Sequence, residues 1–204
     1  IRNCDWSSDV CSSDLRRHST WNGYVIPPVL TGQSITLRPV DEPDLESLRR
    51  WYNAPETFRY MGSDQPLTAE AQSAWHERTG HDPGTLVWAV VRADDAELIG
   101  SITLRNLTDP ARRGELGVLL GVPGSGHGSD AVRTVLAHAF DTLALHCVSL
   151  EVRGDNRRAI TAYMRAGFRP EGVLRRRLLK AGELHDLYAM SILREEFEAT
   201  TPEF

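Results

Sequence analysis

A glycine-rich loop joins a strand pattern to a helix pattern past the middle of this chain, and it constrains the fold more than any other feature. The loop reads PGSGHGS over 123–129, after an apolar run at 115–122 and before an amphipathic run at 130–143. Glycine adopts positive φ and allows close backbone approach, so successive amides can point at one anion. A helix that starts there adds the positive end of its dipole. The pattern predicts a site for phosphate or pyrophosphate.

Three phosphate-containing ligands are candidates for such a loop: a nucleoside triphosphate, a dinucleotide and coenzyme A. An NTPase loop ends in Gly-Lys-Ser or Gly-Lys-Thr, and no lysine follows the glycines here. A dinucleotide-binding fold places its glycine loop after the first strand of a βαβ unit, whereas this loop follows an expected antiparallel hairpin. The pyrophosphate of coenzyme A is the third candidate, and a plain flexible turn is the alternative without a ligand.

The composition predicts one domain with a packed core. The chain has 204 residues, of which 41% are hydrophobic, and a formal net charge of −5. No apolar run approaches the roughly 18 residues of a membrane helix, and the mild acidity argues against a nucleic-acid-coating protein in spite of the basic run at 175–177. The three cysteines, and His185 with Asp186, lack metal-ligand spacing. We expect a cytoplasmic protein that has no metal and no membrane or nucleic-acid partner.

Residues 1–32 are expected to lie outside the domain. The stretch DWSSDVCSSDL at 5–15 has neither a helical nor a strand period, and it resembles a sequencing adapter translated in one reading frame. A disordered leader rich in Ser and Asp is the alternative. Excluding this segment leaves Cys147 as the only cysteine, a domain over 33–198 and a short tail over 199–204.

The rest of the chain alternates strand and helix patterns, in an order typical of a mixed α/β domain. Strands are expected at 34–38, 85–92, 97–106, 115–122, 147–153, 168–179 and 185–193. Helices are expected at 41–53, 68–79, 130–143 and 156–166. Asp41, Thr68 and Asn156 are suitable N-caps, and Gly80 and Gly167 are suitable helix stops.

The segment after the glycine loop carries a second pattern. It reads LEVRGDNRRAITAYMRAGF over 150–168 and has the spacing Asn-x-x-Ala-x-x-x-Tyr-x-x-x-Gly-Phe. With the Gly-x-Gly-x-Gly loop, this resembles the GNAT superfamily of acetyl-CoA-dependent N-acetyltransferases. Residues 35–62 and 167–193 are similar to its RimJ/RimL branch, the ribosomal-protein N-terminal acetyltransferases. The resemblance covers almost all of 33–198.

This resemblance implies a GNAT fold of the α/β (α+β) class. The fold is a mixed, mostly antiparallel sheet of about seven strands with helices on both faces, and it has a splay between two central parallel strands, here 115–122 and 147–153. Acetyl-CoA, as co-substrate, would lie in the splay. The implied cofactor-binding residues are Leu119 and Leu120 by their backbone, Gly124, Ser125, Gly126, His127, Gly128 and Ser129 by their amides, and Asn156 from the next helix. A plain N-cap is the alternative role for Asn156.

Acetyl transfer to an amine needs a neutral amine and a proton for the departing thiolate. Tyr163 resembles the family tyrosine that protonates the sulfur of CoA, and a half-buried helix tyrosine is the alternative. Glu151 has the base-to-acid spacing of the ribosomal alanine acetyltransferases, and an exposed strand glutamate is the alternative. Glu115 and Glu56 are weaker rivals for the base.

Other chemistry-bearing residues receive lesser roles. Cys147 shares a strand face with Glu151, but we expect a small buried residue rather than an acyl acceptor. Candidates for the amine pocket are His127, Trp51, Trp75 and His76. A loop spacer is the alternative role for His127, and core packing is the alternative for the two tryptophans.

The expected reaction is direct transfer of the acetyl group to a primary amine in a ternary complex. The acceptor would be a protein N-terminal α-amine or a small amine such as a polyamine, an amino acid or an aminoglycoside, and a homodimer is compatible with the family. Pro123 stands where the family usually has Gln or Arg, and the loop before Gly124 is short. These departures leave a CoA-binding regulatory module without transferase activity as the alternative.

Overall fold

The computed structural model describes residues 19–21, 23–122 and 126–200. The strands in these residues are β1 Ser19–Trp21, β2 Tyr24–Ile26, β3 Leu30–Thr31, β4 Ile35–Pro39, β5 Leu86–Arg92, β6 Leu98–Arg105, β7 Arg113–Leu120, β8 Cys147–Arg153, β9 Arg169–Lys180 and β10 Glu183–Leu193. The helices are α1 Asp44–Asn53, α2 Pro55–Phe58, α3 Ala69–Gly80, α4 His127–Ala137, α5 Arg157–Arg165 and α6 Arg194–Thr200, and the π-helical turn His138–Thr142 continues α4.

Eight strands form one sheet in the order β3-β4-β5-β6-β7-β8-β10-β9. Neighbouring strands are antiparallel except β7 and β8, which run parallel. Parallel neighbours need a crossover connection, and α4 supplies it here. This confirms the mixed, mostly antiparallel sheet, with eight strands where about seven were expected. β1 and β2 form a separate two-stranded sheet.

The main core lies on one face of the large sheet. Val148, Leu150 and Val152 of β8 alternate onto this face and belong to the same buried cluster as Val135 and Leu136 of α4. Helices α5 and α6 contribute to the same cluster. Helices α1 and α3 lie against the opposite face, α1 on β6 and β7 and α3 on β5. The expected arrangement of helices on both faces is therefore confirmed.

Two helix starts follow from capping side chains. Thr68 accepts a hydrogen bond from the amide of Ala71 at 3.1 Å, and Asn156 accepts one from the amide of Ala159 at 3.2 Å. Each bond satisfies an amide that has no partner inside the helix. These are the N-caps that the sequence predicts for α3 and α5.

The predicted N-cap of α1 is wrong. The helix begins at Asp44, its N-cap position is Pro43, and no side chain caps it. The carboxylate of Asp44 accepts the amide of Asp41 at 2.9 Å and two bonds from the guanidinium of Arg38 at 2.7 and 2.8 Å. The acidic side chain at the helix start thus ties α1 to β4, and Asp41 lies in the turn before the helix.

The helix after the glycine loop starts three residues earlier than predicted. Gly126 has a φ of +79° and turns the chain into α4 at His127, whereas the sequence predicts a start at Asp130. Only glycine adopts this conformation without strain. The C-terminal part of the predicted helix is the π-helical turn.

Residues just before the expected domain start at 33 also contact the large sheet. β3 pairs with β4 through Leu30 and Leu37, so it is an edge strand of the large sheet. Val25 and Leu30 pack against the core cluster, and the indole of Trp88 donates to the carbonyl of Pro28 at 2.8 Å. Residues from 24 onward therefore belong to the folded domain. The adapter-like stretch 5–15 lies outside the described residues.

Candidate active site

The parallel pair of strands opens into a splay. Only three residue pairs join β7 to β8, and the last of them is Glu115 opposite Ser149. Beyond this pair, β7 continues to Leu120 against β6 alone, and β8 continues to Arg153 against β10 alone. The facing backbone edges of the two strands have no ladder partner there and can hydrogen-bond a ligand between them. This confirms the splay expected between the central parallel strands.

The end of β7 is the first of the predicted cofactor elements. Leu119 and Leu120 pair with Ser101 and Gly100 of β6 on one side, and their other side faces the splay. A Cβ on Gly100 would lie 2.2 Å from the carbonyl oxygen of Leu119, so the strands approach closely because of this glycine. The two leucines are half-buried.

The start of α4 lies beside the end of β7. A Cβ on Gly128 would lie 2.6 Å from Cδ1 of Leu120, which shows how near the first helical turn comes to the strand. The first amides of a helix have no partner within it and attract an anion. Gly126 is the N-cap residue of α4, and His127, Gly128 and Ser129, which were expected in the loop, form its first turn. Pro123, Gly124 and Ser125 lie outside the described residues.

A buried carboxylate fixes the position of this helix start. Asp130 accepts the amides of Gln33 and Ser34 at 3.1 and 2.6 Å and the hydroxyl of Ser34 at 2.8 Å. The ring of His127 lies 3.1 Å from the same hydroxyl. The His127 side chain therefore contacts the turn before β4, and the sequence analysis did not identify the role of Asp130. A carboxylate in a first helical turn also interacts favourably with the helix dipole.

Tyr163 lies on α5, against the face of the sheet that carries the core. Its ring packs at 5.8 Å from that of Phe168 and borders the buried cluster. Burial raises the pKa of the Tyr163 phenol to about 12, because the phenolate would lose its hydration. The hydroxyl is therefore a hydrogen-bond donor throughout the physiological pH range.

Glu151 lies on β8 two residues beyond the last paired residue, Ser149. It is exposed, and strand alternation places it on the face opposite Leu150 and Val152, hence opposite α5. Glu151 and Tyr163 thus lie on opposite faces of the sheet.

The rival carboxylates are placed differently. Glu115 accepts a hydrogen bond from Arg105 at 2.6 Å and a weaker one from Asn106 at 3.3 Å, so its charge is already paired. Glu56 is exposed in the first turn of the short helix α2.

Cys147 is a buried free thiol, 9% exposed, which agrees with the predicted packing role. Desolvation is the main cause of the raised pKa of this thiol, which disfavours the reactive thiolate.

The predicted amine-pocket residues are not brought together. Trp51 of α1 packs beneath Gly121, where a Cβ would lie 1.9 Å from the indole. His76 lines a separate cavity of about 130 Å³ with Tyr24 and Thr79, between α3 and the N-terminal strands. Trp75 lies one residue earlier on α3, which packs mainly against α1, β2 and β5.

Two buried cations, which no pattern in the sequence indicated, lie on the Glu151 face. Arg153 and Lys180 are 8% and 6% exposed, and both donate to carbonyls of the segment that follows α2. Lys180 is the only lysine of the chain, and this is the one feature of the sequence that singles it out. The described residues contain no group of three metal-ligating side chains and no helix long and apolar enough to cross a membrane.

Comparisons with known proteins agree on one family. The family model described as an acetyltransferase (GNAT) domain matches residues 34–169. The uncharacterized N-acetyltransferase YoaA of Bacillus subtilis is 26% identical over 178 residues, which cover 82% of this chain and 97% of the relative. The spermidine N(1)-acetyltransferase of Escherichia coli is 25% identical over 172 residues, which cover 83% and 91%.

Solved structures share the fold. The spermidine N-acetyltransferase of Vibrio cholerae, in complex with CoA and spermine, superimposes with a TM-score of 0.74 at 24% identity and covers 81% of this chain and 98% of its own. The RimJ protein of Mycobacterium smegmatis, in complex with CoA-disulfide, superimposes with a TM-score of 0.70 at 24% identity and covers 84% and 88%. The splay, the glycine turn at the start of α4 and the match over 34–169 lead to one conclusion. The chain belongs to the GNAT acetyltransferase family and is an acetyl-CoA-dependent N-acetyltransferase.

Proposed function

We propose that this enzyme transfers the acetyl group of acetyl-CoA directly to a primary amine while both substrates are bound. The observation that carries the proposal is the splay between β7 and β8, with Glu151 exposed on one face of the sheet and Tyr163 bordering the core on the other. A thioester that crosses the splay would have a hydrogen-bond donor on one side and a carboxylate on the other.

The proposed cofactor contacts follow the order of the elements along the splay. The backbone of Leu119 and Leu120 would bind the pantetheine arm, as an added strand would. The amides of residues 124–129 would bind the pyrophosphate at the start of α4, where the helix dipole favours negative charge. Asn156 caps α5 through its Oδ1, which leaves its NH₂ group for the cofactor.

The reaction balances without a covalent enzyme intermediate. The lone pair of the amine nitrogen forms a bond to the thioester carbon, and the carbon–sulfur bond then breaks with its electron pair leaving on sulfur. The nitrogen loses one proton and the thiolate gains one. The products are the N-acetylated amine and CoA.

Tyr163 would serve the departing thiolate as a donor. A free thiol has a pKa of about 8.5, so complete proton transfer from a phenol of pKa about 12 is uphill by roughly 5 kcal/mol. A hydrogen bond from the phenol stabilises the thiolate without that cost. The proton that CoA finally carries can come from the reacting nitrogen, whose acidity rises once it bonds to carbon.

Glu151 would accept a proton from the amine, directly or through a water molecule. An alkylamine has a pKa of about 10.4 and is almost fully protonated at neutral pH, so it needs a base before it can attack. Glu151 is exposed on the face opposite α5, where an amine can approach from solvent. Paired Glu115 is less suited to this role.

Two acceptor classes are proposed: a protein N-terminal α-amine, as in the RimJ/RimL branch, and a small amine such as a polyamine. The resemblance of 35–62 and 167–193 to that branch supports the first class, and the fold similarity to RimJ is compatible with it. The spermidine N(1)-acetyltransferase relative supports the second.

An amine panel tests the proposal. The full chain is incubated with acetyl-CoA and, separately, with spermidine, a peptide with a free N-terminal serine, an L-amino acid and an aminoglycoside. Thiol release and product mass are then measured. We expect a mass increase of one acetyl group on at least one amine, with an equal amount of CoA released. Binding of acetyl-CoA without transfer to any amine would favour the regulatory-module alternative.

A further inference from the structure

The segment 58–64 is held against the sheet by two buried cations. This segment, from the last residue of α2 to Asp64, begins the connection from α2 to α3. Arg153, at the end of β8, donates to the carbonyl of Arg59, and Lys180, at the end of β9, donates to the carbonyl of Ser63. Each end of the segment is therefore bound to a different strand.

Arg153 is surrounded by a carboxylate, an imidazole and an aromatic ring. Its guanidinium makes two hydrogen bonds to Asp155, at 2.9 and 2.7 Å, and lies 3.2 Å from Nδ1 of His185. It also lies 5.5 Å from the centre of the Tyr60 ring. The paired charge explains how an arginine can be buried there.

Lys180 is held mainly by the segment itself. Its Nζ lies 3.6 Å from the centre of the Phe58 ring and 3.9 Å from the carboxylate of Asp64. The backbone amide of Ala181 donates to the same carboxylate at 2.9 Å, so the turn after β9 also holds the segment. We call these contacts of Arg153, Lys180 and Ala181 with residues 58–64 the clamp. A desolvated ammonium over an aromatic face is attracted by the negative face of the ring.

The clamp places the segment beside Glu151. Glu151 and Arg153 are two residues apart on one strand, hence on one face and about 7 Å apart along the strand. Arg153 reaches from that face to Arg59, so the segment covers the sheet just beyond Glu151. An amine that approaches Glu151 from this side must pass the segment.

We propose that Lys180 is a positioning residue for the acceptor amine: it fixes the 58–64 segment as one wall of the amine site. This inference rests on the proposed function, in which Glu151 faces the amine. The Lys180 side chain contacts residues 58, 63 and 64. The start of α4, on the cofactor side, is instead held by Asp130. Loss of Lys180 therefore affects amine binding and leaves acetyl-CoA binding intact.

Two substitutions at this position separate charge from bulk. Lys180→Met keeps the length of the side chain and removes the charge and the donor, whereas Lys180→Arg keeps both. Arg177→Met is the matched control, because Arg177 is an exposed cation on the same strand. Each variant is assayed with the amine that the wild type acetylates fastest in the panel.

For Lys180→Met we expect the KM for the amine to rise about tenfold while the KM for acetyl-CoA changes less than twofold. Lys180→Arg should recover most of this loss, and Arg177→Met should behave as wild type. Hydrogen exchange of the amides of 58–64 should be faster in Lys180→Met alone. This second readout needs no acceptor.

Three results would overturn the inference. An unchanged amine KM in Lys180→Met, with a wild type that transfers acetyl, would reject the positioning role and leave the proposed function standing. An equal rise of the KM for the amine and of the KM for acetyl-CoA in Lys180→Met would show a general effect on folding. A wild type that binds acetyl-CoA but acetylates no amine would reject the proposed function, and the inference with it.

Discussion

Glu115 lies opposite Ser149 in the last residue pair of the parallel β7–β8 ladder, and the two strands part immediately after it. The end of β7 and Glu151 consequently lie on the two sides of one gap. A hydrogen-bonded sheet has no room for a ligand between its strands, whereas this gap exposes backbone donors and acceptors on both edges. The splay is therefore the structural basis of the proposed chemistry.

Removal of the Tyr163 hydroxyl should slow the chemical step. We expect Tyr163→Phe to lower kcat about 100-fold, the lower range for loss of a group that assists proton transfer, because the thiolate loses its donor. The KM for acetyl-CoA should change little, since the ring keeps its packing against Phe168. Steady-state kinetics with both substrates varied measure the two effects. An unchanged kcat would show that the assignment of Tyr163 is wrong.

The raised pKa of Tyr163 supplies a control for this role. A phenol that titrates near pH 12 stays protonated between pH 7 and 10, so Tyr163 should cause no fall of kcat in that range. A loss of wild-type kcat between pH 8 and 10 that disappears in Tyr163→Phe would contradict the donor role in its present form.

Glu151→Gln should lower kcat/KM for the amine about 100-fold at pH 7, because the ammonium loses its base. The deficit should shrink as the pH approaches the pKa of the amine, since the free amine then needs no base. Glu115→Gln is the matched control on the neighbouring strand and should stay within threefold of wild type. A constant deficit from pH 7 to 10 would indicate a role for Glu151 other than proton acceptance.

Substitutions of Asn156 separate its two roles. Asn156→Asp keeps an N-cap oxygen and removes the amide donor, so it should weaken acetyl-CoA binding and leave stability nearly unchanged. Asn156→Ala should also lower the free energy of unfolding by about 1 kcal/mol, because the amide of Ala159 loses its cap. Calorimetric titration and urea denaturation measure the two effects. Equal acetyl-CoA affinity in wild type and Asn156→Asp would leave only the capping role.

The Arg38–Asp44 pair should contribute stability that depends on pH. Burial alone would raise the pKa of Asp44, but the hydrogen bonds from Arg38 and the Asp41 amide outweigh it and hold this pKa below its usual value of 3.8. Asp44→Asn should lower the free energy of unfolding by about 3 kcal/mol at pH 7. A carboxylate with a lowered folded-state pKa stabilises above its unfolded pKa and loses this effect as the pH falls through the folded one.

The difference between wild type and Asp44→Asn should therefore be full at pH 7, begin to shrink near pH 4 and be smaller still at pH 3. Asp41→Asn is the control, since Asp41 is exposed and its ion pair with Arg38 is longer, at 3.4 Å. Urea denaturation at the three pH values measures the difference. A difference that grows on acidification would have the wrong sign for this account.

The sequence predicts the elements with strong local signals. β8 coincides with the predicted 147–153, because its apolar residues alternate and turn residues bound it. α3 and α5 begin where Thr68 and Asn156 cap them. These features depend on residues close together in the chain.

Features that depend on distant residues escaped prediction. α1 begins at Asp44, whose carboxylate is bonded to Arg38 of β4, a contact between separate elements that the local pattern around Asp41 does not reveal. Asp130 is used by the turn at 33–34, nearly a hundred residues away, which no local pattern reveals. β3 has only two residues, and it is a strand because β4 offers an edge for pairing.

In the candidate site, too, the sequence predicts the local features and not the contacts between distant residues. The motif indicates which residues lie near the cofactor, because glycines and a cap at fixed spacing specify the local backbone. It does not indicate the acceptor side, where Arg153 and Lys180 reach a segment more than 90 residues away. His76 was expected there and lies in another cavity.

The assignment of the splay as the acetyl-CoA site is tested first by calorimetric titration of the full chain with acetyl-CoA, with NADH and ATP as controls. We expect saturable binding of one acetyl-CoA per chain and no binding of NADH or ATP, since the splay, the glycine turn and the start of α4 together match the thioester cofactor. Absence of acetyl-CoA binding, or equal binding of NADH, would contradict the assignment of the splay as the acetyl-CoA site.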